Sequence, residues 1–254
     1  WNLPLYLFTW KIAPALAAGN CVVAKPSEIT PYTAFLFSEI CIEAGLPAGV
    51  LNIVHGTGPK VGEALVNHPS IKAISFTGGT ATGKRIASVL APQFKKMSLE
   101  LGGKNATIVF NDVDIEKTAS AVSRAAFANQ GQICLCGSRI FVQRGIYEEF
   151  KNRLVEKVRK MKVMDPLLPE SKFGALVSQA HLDKVLSYIT TARTEGGIIL
   201  CGGYSPEMPA ELSGGYYLLP TLIEGLAPSC RTNQEEIFGP VATLIPFDTE
   251  EEVI

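Results

Sequence analysis

Ile71-Lys72-Ala73-Ile74-Ser75-Phe76-Thr77-Gly78-Gly79-Thr80-Ala81-Thr82-Gly83 runs from a short apolar stretch, through a pair of glycines, into the start of a helical pattern that reaches Leu90. A short apolar run closed by glycine reads as a strand, and the longer periodic run behind it reads as a helix. The same unit repeats on either side. Upstream, a helical run from Leu5 to Ala18 stops at Gly19, and Cys21 to Lys25 is a buried strand. Thr30 is placed to cap a helix with Pro31 at its first position and Gly45 just past its end. Val50 to Val54 is a further strand, followed by a helix from Gly58 to His68, and Lys96 to Glu100 is the strand after the opening stretch. Strand–helix units repeated in this way predict an α/β fold, a doubly wound parallel sheet with helices on both faces. Such sheets take ligands at the carboxyl ends of their strands.

The pattern restarts after Gly102-Gly103, which marks a boundary between residues 1–102 and residues 103–254. Ala106 to Phe110 reads as a strand. Asp112 or Asp114 caps the next helix, which carries Ile115, Ala119, Val122 and Ala126 on one face. Arg139 to Val142 is a strand, and the helix after it turns Tyr147, Phe150, Leu154 and Val158 inward and Lys and Arg outward as a solvated face. A helix from His181 to Thr194, a Pro/Gly-rich excursion from Gly202 to Gly215, and strands near 216–223 and 241–247 complete the chain.

The 254 residues are 47% hydrophobic and 19% charged, with a net charge of −1 at pH 7. That balance provides no electrostatic footing for nucleic acid or for an anionic membrane surface, and no apolar run reaches bilayer-spanning length. Six cysteines, at 21, 41, 134, 136, 201 and 230, are scattered rather than arranged as a disulfide framework. They imply reduced thiols and a cytoplasmic setting. Cys134 and Cys136 are too close for a zinc knuckle and have no second ligand pair, so no metal site is expected.

Chemistry concentrates in Phe127-Ala-Asn-Gln-Gly-Gln-Ile-Cys134-Leu-Cys136-Gly-Ser-Arg139, a polar, glycine-bearing loop between a helix and a strand. Loops held by regular elements are where catalytic groups sit, and a thiolate is a strong nucleophile. A lone cysteine usually reads as buried and structural. The polar frame of Cys134 and the Leu99-Glu100-Leu101-Gly102-Gly103-Lys104 block upstream favour the nucleophile. Thr77 to Gly83 sits where a helix N-terminus faces a phosphate, but its G-x-x-x-x-G spacing is not the G-x-G-x-x-G fingerprint, and a plain helix-start turn fits it equally. Lys25 and Glu28, after a strand end, read alone as ligand contacts or as two surface charges.

The order of these blocks resembles the NAD(P)-dependent aldehyde dehydrogenases. Asn129-Gln130-Gly131-Gln132-x-Cys134 is similar to their cysteine signature, and Leu99 to Lys104 to their glutamate signature. Glu235-Glu236-Ile237-Phe238-Gly239-Pro240, Trp1-Asn2, Lys25-Pro26-Ser27-Glu28 and Phe76-Thr77-Gly78 match four more blocks, all in family order. The unusual glycine spacing is shared with that family. The resemblance implies a Rossmann-type NAD-binding domain in residues 1–102 and an α/β catalytic domain in residues 103–254, both incomplete. The chain then reads as an internal fragment of a longer enzyme.

The resemblance also implies roles. Cys134 attacks an aldehyde, and the Asn2 amide and Cys134 N–H hold the oxyanion. Glu100 is the general base that hydrolyses the thioester. Trp1, Lys25, Pro26, Ser27, Glu28, Phe76, Thr77, Gly78, Gly79, Gly83 and Leu101 contact the cofactor, and Glu236 and Phe238 hold its nicotinamide side. A carboxylate at Glu28 facing the adenosine ribose points to NAD rather than NADP. The implied partners are a small aldehyde substrate and further copies in a homodimer or homotetramer. The segments Ile133 to Val142, Ser205 to Leu212 and Phe247 to Val253 are similar to the branch oxidising 2-aminomuconic and 2-hydroxymuconic semialdehydes. The rival readings are a CoA-acylating aldehyde dehydrogenase, which has no need of a water-activating Glu100, and a non-catalytic relative with a structural or binding role.

Overall fold

Helix α1 (Pro4–Ala17) begins on proline, whose fixed φ suits the first helical position and whose missing N–H would be unpaired there anyway. It leads into β1 (Val22–Ala24), α2 (Tyr32–Glu43), β2 (Leu51–Ile53) and α3 (Glu63–Asn67), the last preceded by one wide helical turn at Gly58–Gly62. Then follow β3 (Ala73–Gly78), α4 (Thr80–Leu90) and β4 (Lys96–Leu101). The computed structural model describes residues 1–254 and divides into two units, Trp1–Gly102 and Gly103–Ile254.

In the first unit all strand pairing is parallel, and the strands form two separate pairs. Val22 to Ala24 lie beside Leu51 to Ile53, and Ala73 to Gly78 lie beside Lys96 to Leu101. The two pairs, β1–β2 and β3–β4, share no ladder with each other. Val66, Ile86 and Leu90 form the buried core over β3 and β4, with Ile74, Phe76 and Leu99 against them. Thr30 does not cap α2. Pro31 occupies the cap position with helical φ and ψ, so Thr30 stands one residue too early, and its buried hydroxyl has no partner.

The second unit comprises β5 (Ala106–Val109), α5 (Ile115–Phe127), β6 (Arg139–Gln143), α6 (Tyr147–Arg159), α7 (Gln179–Thr194), β7 (Ile198–Cys201), β8 (Thr221–Glu224), α8 (Arg231–Gln234), β9 (Val241–Phe247) and α9 (Glu250–Val253). One five-stranded sheet runs in the order β5-β6-β9-β8-β7, parallel except for β7. Asp114 is the residue that caps α5, accepting from the Lys117 N–H at 3.0 Å. Tyr147, Phe150, Leu154 and Val158 are buried on α6, as the 3.6-residue period requires. Burying Phe150 and Leu154 fully stabilises the unit by roughly 1.5–3 kcal/mol each. The outer face of α6 is less idle than a solvated stripe, since Arg153 and Lys157 both pair with Glu116 of α5. The antiparallel edge strand β7 and the short helix α8 had no clear sequence pattern. No helix is long and apolar enough to cross a membrane.

Candidate active site

Cys134 lies on a turn between α5 and β6, built by an uncommon backbone. Asn129, Gln130 and Gly131 are left-handed in succession, with φ of 49°, 57° and 69°. Glycine adopts that region freely and asparagine tolerates it, but a glutamine there costs on the order of 1–2 kcal/mol. Strain of this kind persists only where the surroundings over-determine the geometry. Here they do. The buried Gln132 side chain accepts from the Val177 N–H at 3.1 Å, Cys136 N donates to Ile133 O at 3.1 Å, and Gly137 N donates to Ala125 O at 3.3 Å. A Cβ on Gly137 would stand 2.0 Å from the Thr107 hydroxyl, so the turn is pressed onto the start of β5. Cys134 is half-buried and Leu135 is 81% exposed, whereas Cys136 is buried. Burial raises the Cys136 thiol above its ordinary value, which keeps it protonated.

A second strand of chain, Glu235 to Pro240, lines the same cleft. Cys134, Ile133 and Ser138 form one wall, and Glu236, Phe238 and Gly239 the other. Phe238 is left-handed as well, at φ 61°. Helix α7 holds this strap from one side. His181 Nε2 donates to Phe238 O at 2.7 Å, Lys184 Nζ donates to Glu236 O at 3.3 Å, and the Tyr188 hydroxyl donates to the Glu235 carboxylate at 2.5 Å. A carbonyl can only accept, so His181 carries its proton on Nε2. Burial lowers the His181 pKa, and the neighbouring Lys184 charge adds to that. The Glu236 carboxyl is raised by burial. The Gly103 N–H and the Lys184 and Lys104 ammonium groups offset part of this shift.

The remaining sequence-derived residues belong to the first unit, most of them at or just after the carboxyl ends of its strands. Phe76, Thr77 and Gly78 end β3, Gly79 caps α4, and Glu100 and Leu101 end β4, with Thr77 beside Glu100 in register. Glu100 is exposed; burial lowers the pKa of Lys11 on α1, and the Glu100 charge offsets part of that shift. Gly83 has a packing reason: a Cβ there would stand 2.6 Å from Leu101 Cδ2. Trp1 and Asn2 precede α1 and are half-buried. Lys25 spends its ammonium within the unit, on Pro26 O at 2.7 Å, Gly56 O at 3.1 Å and Glu28 at 3.2 Å. Ser27 Oγ accepts from Ile29 N. Glu28 stays ionised through its own backbone N–H first, then through Lys25 and the Gly58 N–H, while its carboxylate remains 46% exposed.

The residues of the first unit fit a dinucleotide. No side chain caps the first turn of α4, no acidic residue stands in it, and the space beyond Gly79 is open, so its N–H groups and dipole face outward. The exposed Glu28 carboxylate offers acceptors for a ribose diol. Sequence reasoning missed His181, Lys184 and Tyr188, because polar residues at i, i+3 and i+7 of an amphipathic helix look like an ordinary wet face. It also missed Lys104, whose Nζ is buried without a hydrogen-bond partner.

Comparison with known proteins accounts for this set of features. The profile of the Aldehyde dehydrogenase family matches residues 1–254. The chain is 57% identical to 2-aminomuconic semialdehyde dehydrogenase of Mus musculus, over all of this chain and 53% of that protein. It is 49% identical to 2-hydroxymuconic semialdehyde dehydrogenase of Pseudomonas sp. (strain CF600), over all of this chain and 52% of that protein. The crystal structure of betaine aldehyde dehydrogenase from Staphylococcus aureus in complex with NAD+ superposes with a TM-score of 0.96 at 40% identity, covering 99% of this chain and 50% of that one. The chain thus spans about half the length of the relatives it matches. Its parallel α/β architecture and its ordered sequence blocks have one origin: the chain belongs to the aldehyde dehydrogenase family.

Proposed function

We propose that this chain carries the reacting groups of an NAD-dependent aldehyde dehydrogenase that converts an aldehyde to a carboxylic acid. The observation that carries the reading is the strained turn that presents Cys134, half-buried and opposite Glu236 and Phe238, while the adjacent Cys136 is buried and inert. Cys134 attacks the aldehyde carbon as a thiolate, and the Asn2 amide and Cys134 N–H donate to the resulting oxyanion. Bound nicotinamide supplies the hydride acceptor for the oxidation. Cys134 is left as a thioester, and Glu100 takes a proton from the water that hydrolyses it. Lys25, Pro26, Ser27, Glu28 and the Phe76–Gly79 turn with Gly83 and Leu101 hold the adenosine and pyrophosphate, and Glu236 and Phe238 the nicotinamide ribose. The exposed, ionised Glu28 favours NAD, since a carboxylate repels a 2′-phosphate.

The substrate is a muconic-type semialdehyde. The names of the relatives at 57% and 49% identity support this, as do the segments around Cys134 and Ser205. The complete protein works as a homodimer or homotetramer in the cytoplasm. The test is an aldehyde panel, including 2-hydroxymuconic semialdehyde, with NAD, NADP and CoA supplied separately. Acid formation with NAD and no CoA is the expected result. Dependence on CoA would transfer the protein to the acylating class, and inactivity toward every aldehyde would make it a non-catalytic relative.

A further inference from the structure

We infer that Asn105 is a positioning residue for Cys134, an inference that rests on Cys134 being the reactive thiol. Asn105 is the last residue before β5, in the segment that follows the double glycine. Its side-chain Nδ2 donates to Cys134 O at 2.5 Å and leans toward Cys136 O at 3.5 Å. Its backbone carbonyl accepts from Arg139 N at 3.1 Å, where β6 begins. One residue therefore holds both ends of the cysteine turn, the thiol end by its side chain and the exit by its main chain. The turn's own bonds run Cys136 N to Ile133 O and Ser138 N to Cys136 O, and they leave the Cys134 carbonyl to the Asn105 amide.

The orientation of that carbonyl sets ψ of Cys134, and with it the direction in which the Cα–Cβ bond carries the sulfur into the cleft. Two dihedrals are all the main-chain freedom this residue has. The left-handed run at 129–131 fixes the approach to Cys134 from the N-terminal side, and Asn105 fixes its departure. The role needs a donor. An alanine removes it, and an aspartate of the same shape reverses it once ionised, because a carboxylate would then face two carbonyl oxygens.

The experiment compares wild type, Asn105→Ala and Asn105→Asp in the complete protein. It follows the second-order rate of iodoacetamide alkylation at Cys134 by peptide mass, with NAD-dependent aldehyde oxidation in parallel. Losing one net hydrogen bond at the nucleophile should slow both alkylation and kcat about fivefold to tenfold in Asn105→Ala. For Asn105→Asp, alkylation should slow at least as much as in Asn105→Ala, because the ionised carboxylate has no proton to donate and faces two carbonyl oxygens. In both variants kcat should fall while the KM for NAD stays within twofold of wild type, a split that general loosening of the fold would not leave. Rates within twofold of wild type in Asn105→Ala overturn the inference. Should that variant not fold, an alkylation rate within twofold of wild type in Asn105→Asp overturns it equally. If wild type oxidises no aldehyde while alkylation still depends on Asn105, the positioning role stands and the proposed reaction falls.

Discussion

A Cβ at position 131 would stand 2.1 Å from the carbonyl oxygen of Gly239, so the cysteine turn and the Glu235–Pro240 strap meet backbone to backbone. Gly131 also has φ of 69°. Gly131→Ala is thus both clashing and left-handed, and should lower stability by about 3 kcal/mol or more. Gln130→Gly, one residue earlier at φ 57°, relieves strain without adding an atom and should be neutral or stabilising by about 1 kcal/mol. Urea unfolding of both variants checks the pair, and equal destabilisation would contradict the backbone argument.

Replacing Cys134 by alanine should abolish aldehyde oxidation, while Cys136→Ala should retain most of it. Cys136 is buried and its thiol is held protonated. Steady-state assays on the two variants decide the matter. Comparable loss in both would remove the distinction drawn between the two thiols.

Glu100→Gln should allow one round of oxidation and then stall at the thioester, because an amide cannot take the proton of the attacking water. Stopped-flow absorbance should show a burst of NADH followed by slow turnover. Turnover equal to wild type would mean that another group activates the water.

Glu28→Gln should narrow the preference for NAD over NADP. The native carboxylate is nearly half exposed and held ionised by backbone N–H groups and Lys25, and the amide carries no charge to oppose a 2′-phosphate. Ratios of kcat/KM for the two cofactors measure this. A parent enzyme that already prefers NADP would refute the role given to Glu28.

Lys104 carries a pH signature in the stability of the second unit. Burial, reinforced by the Arg139 charge, lowers its pKa to about 8 from the ordinary 10.5. Between those two values the unfolded chain holds the extra proton, so this group's contribution to stability rises with pH from about 8 and levels off above 10.5. At pH 7 the buried ammonium is a cost, and Lys104→Met should stabilise the fold by on the order of 2 kcal/mol. The advantage of the variant should shrink as pH rises toward 10. Thermal melts of both proteins over that range would show it, and a variant that melts lower at pH 7 would show that the ammonium contributes more than its burial costs.

What could be read from the chain alone divides along physical lines. Strands and helices with a strong apolar period were legible, as Phe150 and Leu154 show by their burial, and so was the place of Cys134 on a loop between a helix and a strand. The cap at Thr30 failed because Pro31 already takes the cap conformation, which side-chain preference alone does not reveal. Glu100 and Gly78 stand at the carboxyl ends of their strands in the first unit, where parallel sheets take ligands. In the second, the Cys134 turn and the 235–240 strap stand at the amino ends of β6 and β9, a placement that depends on strand order. His181, Lys184 and Tyr188 were hidden because their value lies in the carbonyl and carboxylate groups they meet, 47 to 57 residues further along the chain.

Strand β9 has a consequence for how the polypeptide is made. It is the middle strand of its sheet, buried at all but one position, with Thr243 in register with Arg139 on one side and Ile223 on the other. Yet Val241–Phe247 follows the four strands it joins in chain order. Until then the nascent chain holds two sheet edges with no common ladder, and both present apolar strands to the surroundings. Closure across such sequence distances is slow, and an open intermediate of this kind is a target for chaperones. The cysteine is therefore synthesised before the central strand that joins the two halves of its sheet.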